Sequence, residues 1–184
     1  MKTFMRTVLG AAIVVAAGPV GPAAAAAELD YRCASSTRDL DDTSYDEPWP
    51  DNWKITVKTC AARSGGTVHA CAEARWDGPG FYPADDTSIF DGAKLRVQIK
   101  ASRSGTDPVL AERDFAGIEA RLEDSSSGAD YRGSYRTATI SHRAGAGALA
   151  DSALFLDWQG DGRGYQGHWR SISCHGDQVQ RFAA

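Results

Sequence analysis

The 184-residue sequence predicts an all-β fold, an antiparallel β-sandwich of about eight or nine short strands. Runs that alternate between polar and apolar residues recur along the chain, and turn-forming residues separate them. After the N-terminal region, no stretch shows sustained helical periodicity. When the chain is folded at its turns, the opposed residues match in charge and polarity. A flattened β-barrel is the alternative arrangement of the same strands.

Residues 1–27 have the pattern of a cleaved signal peptide. Lys2 and Arg6 form a basic start, an apolar run follows, and alanines 25–27 supply small residues for cleavage. Two Gly-Pro pairs interrupt the apolar part, which weighs against a retained membrane anchor. We therefore expect residues 28–184 to form a single secreted, extracellular β domain that does not contact the membrane after cleavage.

The balance of charge restricts the partners. The whole chain has a formal net charge of −4, and the loss of Lys2 and Arg6 with the signal peptide would make it more acidic. Proteins that bind the phosphate backbone need a concentrated basic face. Nucleic acid is therefore not expected as a partner.

The first predicted hairpin turns at Gly65-Gly66. Folding the chain there puts Lys54 opposite Asp77 and Ile55 opposite Trp76. Opposite charges then meet on one face of the hairpin and apolar residues on the other, as cross-strand pairing prefers. A shift of one residue would destroy both sets, so the sequence specifies this register strongly.

The same register puts Cys60 opposite Cys71 and predicts a disulfide between them. A four-residue loop would place this pair at a non-hydrogen-bonded position, with Cα atoms about 4.5 Å apart, and a two-residue turn would place them about 5.5 Å apart. Elimination then pairs Cys33 with Cys174. No C-x-x-C or H-x-x-x-H spacing accompanies these cysteines, so a zinc site is not expected.

A second hairpin is predicted at the Ser/Gly-rich residues 125–130. If the chain folds back at this turn, Glu123 lies opposite Arg132 and Leu122 lies opposite Gly133. The charges are again complementary, which favours two antiparallel strands joined by this turn.

A third hairpin is predicted at Asp161-Gly162, a sequence that favours a two-residue type I′ turn. In that register Leu154 lies opposite Trp169, and Phe155 lies opposite His168. The same register places Trp158 opposite Tyr165.

The remaining strands follow from local patterns. A first strand is expected near residues 31–34, and residues 94–101 alternate cleanly. Residues 109–115 also allow the start of a helix, but this stretch is short and runs into Ala116-Gly117, so a further strand is expected there. A bulge at Ala116-Gly117 would let the apolar residues on both sides of it face inward. The general pattern resembles that of small exported immunoglobulin-like or jelly-roll-like domains, although no motif identifies a family.

Motifs for catalysis are not apparent in the sequence. There is no G-x-S-x-G elbow, and every cysteine is assigned to a bridge. Ser141 and His142 are neighbours on an alternating strand, so their side chains should point to opposite faces. Residues 157–161 lack the ligand spacing and closing Glu of a calcium loop. The sequence thus favours a protein that is not an enzyme.

Two long irregular stretches, residues 34–52 and 78–92, combine aromatic and acidic residues. Loops of this length in a compact domain are often functional, although the acids could simply provide solubility and the aromatics could cap the core. Because Lys54 opposes Asp77, both stretches should leave the sheet at one edge. The predicted binding residues there are Trp49, Phe81, Tyr82, Asp46, Glu47, Asp85 and Asp86.

Aromatic faces rimmed by carboxylates suit a sugar ring or a basic partner protein. The sequence therefore predicts a non-catalytic extracellular binding module for a carbohydrate or protein ligand. No cofactor is expected, and calcium is a weaker alternative ligand of the same carboxylates. A secreted hydrolase with an unrecognised site and a protease inhibitor are the competing hypotheses.

Overall fold

The computed structural model describes residues 29–42, 52–79, 89–104, 106–124 and 132–173. These residues form nine strands and one short helix. In chain order they are β1 (Arg32–Leu40), β2 (Trp53–Ser64), β3 (Thr67–Asp77), β4 (Phe90–Ala101), β5 (Val109–Phe115), α1 (Ile118–Glu123), β6 (Arg132–Arg136), β7 (Ile140–Arg143), β8 (Ala148–Trp158) and β9 (Gln166–Ser173). The strands form two antiparallel sheets that pack together without closing into a barrel. The predicted all-β sandwich is confirmed, and the flattened barrel was wrong.

The first sheet has the order β1-β2-β3-β6, and β7 also pairs with β3. Gly65 and Gly66 connect β2 to β3 with φ angles of 53° and 80°, the left-handed conformation that a type I′ turn requires at both central positions. The predicted register is confirmed. Lys54 lies opposite Asp77, and the same register continues without a shift to Ser64 and Thr67 beside the turn.

The second sheet has the order β5-β4-β8-β9. On its outer face Arg96 of β4 makes two hydrogen bonds to Asp114 of β5, with distances of 2.6 and 2.9 Å. The Lys94 ammonium lies 3.2 Å from the same carboxylate. Hydrogen bonding to Arg96 lowers the pKa of Asp114 most strongly, and Lys94 lowers it further, against the opposing effect of burial.

The inner faces of the two sheets meet in one apolar core. Side chains alternate between the two faces of a strand, so every second residue of each central strand points into this core, as the sequence pattern indicates. The largest fully buried side chains are Trp53, Trp158, Ile55, Leu95, Ile99, Ile118, Leu122, Leu154, Leu156 and His168. A buried hydrogen bond between the hydroxyls of Thr59 and Ser152 joins the two sheets at the middle of this core.

The second predicted hairpin was wrong. Residues 118–123 form α1 instead of a strand, and β6 pairs with β3. Ile118 and Leu122 are four residues apart, so one face of a helix buries both of them. The predicted position of Glu123 opposite Arg132 is wrong, since Arg132 of β6 lies opposite Asp77 of β3 and its Nε is 2.7 Å from that carboxylate.

The predicted register of the third hairpin was wrong by one residue. Leu154 pairs with His168, and Phe155 pairs with Gly167. The connection is longer than a two-residue turn and contains Gly160, Gly162 and Gly164, all with positive φ. The shift turns His168 from the outer face to the inner face, where it is fully buried.

Both predicted disulfides were wrong. The structure contains a disulfide between Cys33 and Cys60, whose Cα atoms lie 4.1 Å apart, and Cys71 is a buried free thiol. Cys60 has a single sulfur, so it does not bond Cys71, and Cys33 is not available to Cys174, which lies outside the described residues. The predicted pairing of Cys60 with Cys71 as neighbours in the sheet is nevertheless correct.

The turn explains which neighbour Cys60 bonds. With Ser64 and Thr67 as the last pair beside a two-residue turn, alternation makes Cys60 and Cys71 a hydrogen-bonded pair with the wider spacing. In a strand with antiparallel neighbours on both sides, the backbone N–H and C=O of any one residue both point to the same neighbouring strand. Those of Cys60 point to β3. Cys60 therefore forms a close, non-hydrogen-bonded pair with Cys33 on its other side, and this position favours a disulfide.

Candidate functional site

One end of the sandwich gathers the long connections, and we call it the loop end. It is defined by the paired residues Leu40 and Trp53 of the first sheet and Phe90 and Trp158 of the second. The chain leaves β1 and β3 and enters β2 and β4 at this end. The two acidic and aromatic stretches are therefore attached side by side, as the register of the first hairpin predicts.

The seven predicted binding residues lie outside the described residues, in the ranges 43–51 and 80–88. They are Trp49, Phe81, Tyr82, Asp46, Glu47, Asp85 and Asp86. The structure shortens the connections that contain them, since β1 continues to Leu40 and β4 starts at Phe90. Their role in binding stays a prediction.

Three large aromatic side chains form the floor of the loop end. The ring centroids lie 5.5 Å apart for Trp53 and Phe90, 4.8 Å for Phe90 and Trp158, and 6.1 Å for Trp53 and Trp158. All three residues are at most 5% exposed. They come from β2, β4 and β8, so they hold both sheets together at the strand ends to which the long connections are attached. Sequence reasoning missed this cluster, although each residue lies at a strand end.

Helix α1 is fixed to the same end. Its Glu119 carboxylate accepts a hydrogen bond of 3.0 Å from the backbone N–H of Ala93 in β4. Ile118 and Leu122 are fully buried against the core. The loop end thus rests on a base in which helix, sheets and aromatic floor are tied together.

Three carboxylates, Asp91, Asp157 and Asp161, lie near one another where β4 begins and β8 ends. Burial raises the pKa of Asp157, and the negative charges of Asp91 and Asp161 raise it further. Asp91 accepts a hydrogen bond of 2.9 Å from the Gly160 N–H. Within the described ranges no group of three or more His, Cys, Asp or Glu residues is arranged to hold a metal ion.

Two serine hydroxyls of the described residues lie within hydrogen-bond distance of a histidine ring, the arrangement that an activated nucleophile requires. His168 Nε2 lies 3.1 Å from the Ser36 hydroxyl and 3.2 Å from the Ser36 carbonyl oxygen. His69 Nδ1 lies 2.8 Å from the Ser141 hydroxyl on the outer face of the first sheet. A catalytic triad needs a carboxylate on the other ring nitrogen, and no such bond occurs for either histidine among the described residues.

Burial makes His168 a structural residue. Its side chain is fully buried, which closes it to substrate. Burial lowers the pKa of His168, the Ser36 backbone raises it, and the charge of Arg38 lowers it again. The imidazole joins the edge strand of one sheet to that of the other, β9 to β1. Ser141 and His142 face opposite sides of their strand, as predicted.

Comparison with known proteins does not assign this site. Searches against protein-family models, curated proteins and solved structures found no match for the chain. In the part of the chain that the structure describes, no helix is long and apolar enough to span a membrane.

Proposed function

We propose that the protein is a secreted, non-catalytic binding module that takes an extracellular carbohydrate or protein ligand at the loop end. The ligand-contacting groups are the aromatic residues Trp49, Phe81 and Tyr82. The carboxylates of Asp46, Glu47, Asp85 and Asp86 accept hydrogen bonds from sugar hydroxyls or pair with basic side chains.

The pairing of Lys54 with Asp77 carries this proposal. It brings together the attachment points of two stretches that are distant in sequence and similar in composition. The buried floor of Trp53, Phe90 and Trp158 supports them on a rigid base. Binding loops on a rigid β scaffold are a common arrangement, because the scaffold limits the entropy that is lost on binding.

The remaining features favour export and binding over catalysis. The Cys33–Cys60 disulfide fits an oxidising compartment, and residues 1–27 carry the pattern of a signal peptide. Neither Ser–His pair has a carboxylate partner among the described residues. When the full gene is expressed, we expect the protein in the medium, with Glu28 as the first residue in N-terminal sequencing.

The test of binding uses protein purified from the medium. The secreted protein is applied to a glycan array, to a panel of immobilised polysaccharides and to a culture-supernatant pull-down. We expect one class of ligand to be captured by the wild type. The triple variant Trp49→Ala, Phe81→Ala, Tyr82→Ala should lose capture by about tenfold or more, since each stacked aromatic contributes on the order of 1 kcal/mol.

Tyr31→Ala is the matched control, because it removes an aromatic residue at the opposite end of the sandwich, beside the start of β1. It should bind as the wild type does. Unchanged capture by the triple variant would refute the proposed site. Unfolding of the triple variant in a thermal melt would show that the aromatics belong to the core.

A further inference from the structure

The outer face of the first sheet carries an ordered grid of polar side chains. One row across the strands contains Ser35, Lys58, Glu73 and Arg136. The adjacent row, nearer the loop end, contains Thr37, Thr56, Arg75 and Ser134. All these side chains point away from the core, because they alternate with its inward residues.

A shallow cleft of about 260 Å³ lies between these two rows. Its lining consists of Ser35, Thr56, Lys58 and Arg75. Two hydroxyls thus line the cleft together with two cationic groups, and no carboxylate of the described residues is part of the lining. The volume is slightly below the roughly 300 Å³ at which drug-sized pockets begin, so the cleft suits a small ligand or a single sugar residue.

The cations of the cleft retain free donors. Within the described residues, the Lys58 ammonium has no hydrogen bond or ion pair. Arg75 donates from Nε to Glu73 at 2.6 Å, which leaves its two terminal amino groups for a ligand. Its side chain is 69% exposed, whereas that of Glu73 is 19% exposed. Glu73 therefore orients the guanidinium from the side without filling the cleft.

The backbone beneath the cleft is covalently fixed. Cys33 precedes Ser35 by two residues and Cys60 follows Lys58 by two residues, so the disulfide lies in the next row of the same face. It prevents β1 from separating from β2 at the cleft. A site whose groups are held in position before binding loses less entropy when the ligand arrives.

We propose that this cleft binds an oxyanion, the sulfate, phosphate or carboxylate group of a small ligand or sugar acid. Lysine supplies a compact positive charge, and arginine supplies planar paired donors that match two oxygens of such a group. The Ser35 hydroxyl donates to a remaining oxygen, and the Thr56 hydroxyl does so as well when Thr37 donates the 2.7 Å hydrogen bond between the two threonines. This site is separate from the loop end and does not depend on the ligand proposed there.

The test is titration of the full secreted protein with sodium sulfate, sodium phosphate and sodium glucuronate, followed by amide chemical shifts in NMR spectra. Sodium chloride at matched ionic strength and neutral glucose are the reference titrations. We expect saturable shifts at residues 56–58 and 75 with at least one oxyanion. The probe that binds most tightly identifies the source of the group, sugar carboxylate or inorganic anion.

Lys58→Gln and Arg75→Gln should each weaken that binding by about tenfold or more, because each removes a charge-assisted hydrogen bond. Lys54→Gln is the matched control, since Lys54 lies on the same strand and face outside the cleft and has no ion pair in the described chain. It should change binding less than about twofold. Absence of saturable binding, or equal weakening by Lys54→Gln, would overturn the proposal.

Discussion

The imidazole of His168 is buried between two edge strands, and only its Nε2 atom has a hydrogen-bond partner within the described chain. Protonation would place a charge and an unpaired Nδ1–H in the core. The pKa of His168 is lowered from 6.5 in the folded protein, so the unfolded chain takes up the proton more readily. The stability that neutral His168 contributes is therefore complete above about pH 6.5 and is lost as the pH falls from there toward the folded pKa.

We expect the midpoint of thermal unfolding to decrease between pH 7 and pH 5, and the decrease to become smaller in His168→Gln. Glutamine keeps a polar group near Ser36 but does not titrate. The measurement is a series of circular dichroism melts across this range. His142→Gln is the control, because it removes a histidine that is only half-buried. An identical pH slope in wild type and His168→Gln would contradict the assignment.

Gly133 leaves the space that the Trp76 side chain occupies. A Cβ atom at this position would lie 2.5 Å from Cζ2 of Trp76, which is almost fully buried. Gly133→Ala should therefore decrease the free energy of unfolding by about 1–3 kcal/mol through overpacking. Gly145→Ala, where a Cβ meets nothing within 4 Å, should be nearly neutral. Urea unfolding measures both, and equal effects would argue against close packing of β6 on Trp76.

At the scale of elements, helix α1 depends on the burial of one face. Leu122 is fully buried, whereas Arg121 beside it is exposed. Leu122→Ala should decrease the free energy of unfolding by about 2–5 kcal/mol, and Arg121→Ala should change it by less than about 0.5 kcal/mol. Chemical denaturation of the two variants measures the difference. Similar small effects for both would show that α1 does not pack on the core.

The elements also show how far the sequence predicts the fold. The first hairpin is predictable because charge pairs, apolar pairs and a Gly-Gly turn all specify one register. Residues 118–123 allow both strand alternation and helical spacing, and only packing against β4 decides between them. At residues 159–165 three glycines with positive φ permit a longer turn, and the register shifts by one.

In the candidate site, too, the features that depend on strand pairing are predictable from the sequence, and those that depend on packing between the sheets are not. The common attachment of the two long stretches is predictable, since it depends on the pairing of Lys54 with Asp77. The aromatic floor of Trp53, Phe90 and Trp158 is not, because it joins strands of different sheets whose relative position no local pattern specifies. The cleft at Lys58 and Arg75 is not predictable from the sequence either, because the spacing of residues does not show the empty volume between the two rows of side chains.

At the scale of the whole molecule, the disulfide and the free thiol can be tested together. Peptide mapping without reductant should recover a fragment that joins residue 33 to residue 60. Cys71 is 2% exposed, so iodoacetamide should modify it only after the protein is unfolded in denaturant. A peptide that joins residue 60 to residue 71, or modification of Cys71 in the native protein, would contradict this arrangement.

Cys33, Cys60 and Cys71 lie side by side on three neighbouring strands, and this row has a consequence for biosynthesis. The native bond spans 27 residues, whereas Cys60 and Cys71 are only 11 residues apart. In an unfolded chain, loop closure favours the shorter span by about 0.8 kcal/mol, or roughly fourfold. Oxidation ahead of sheet formation therefore yields mainly the wrong isomer, and the native one requires either folding before oxidation or a later thiol exchange. The yield of native protein thus depends on the order in which its strands assemble and its thiols are oxidised.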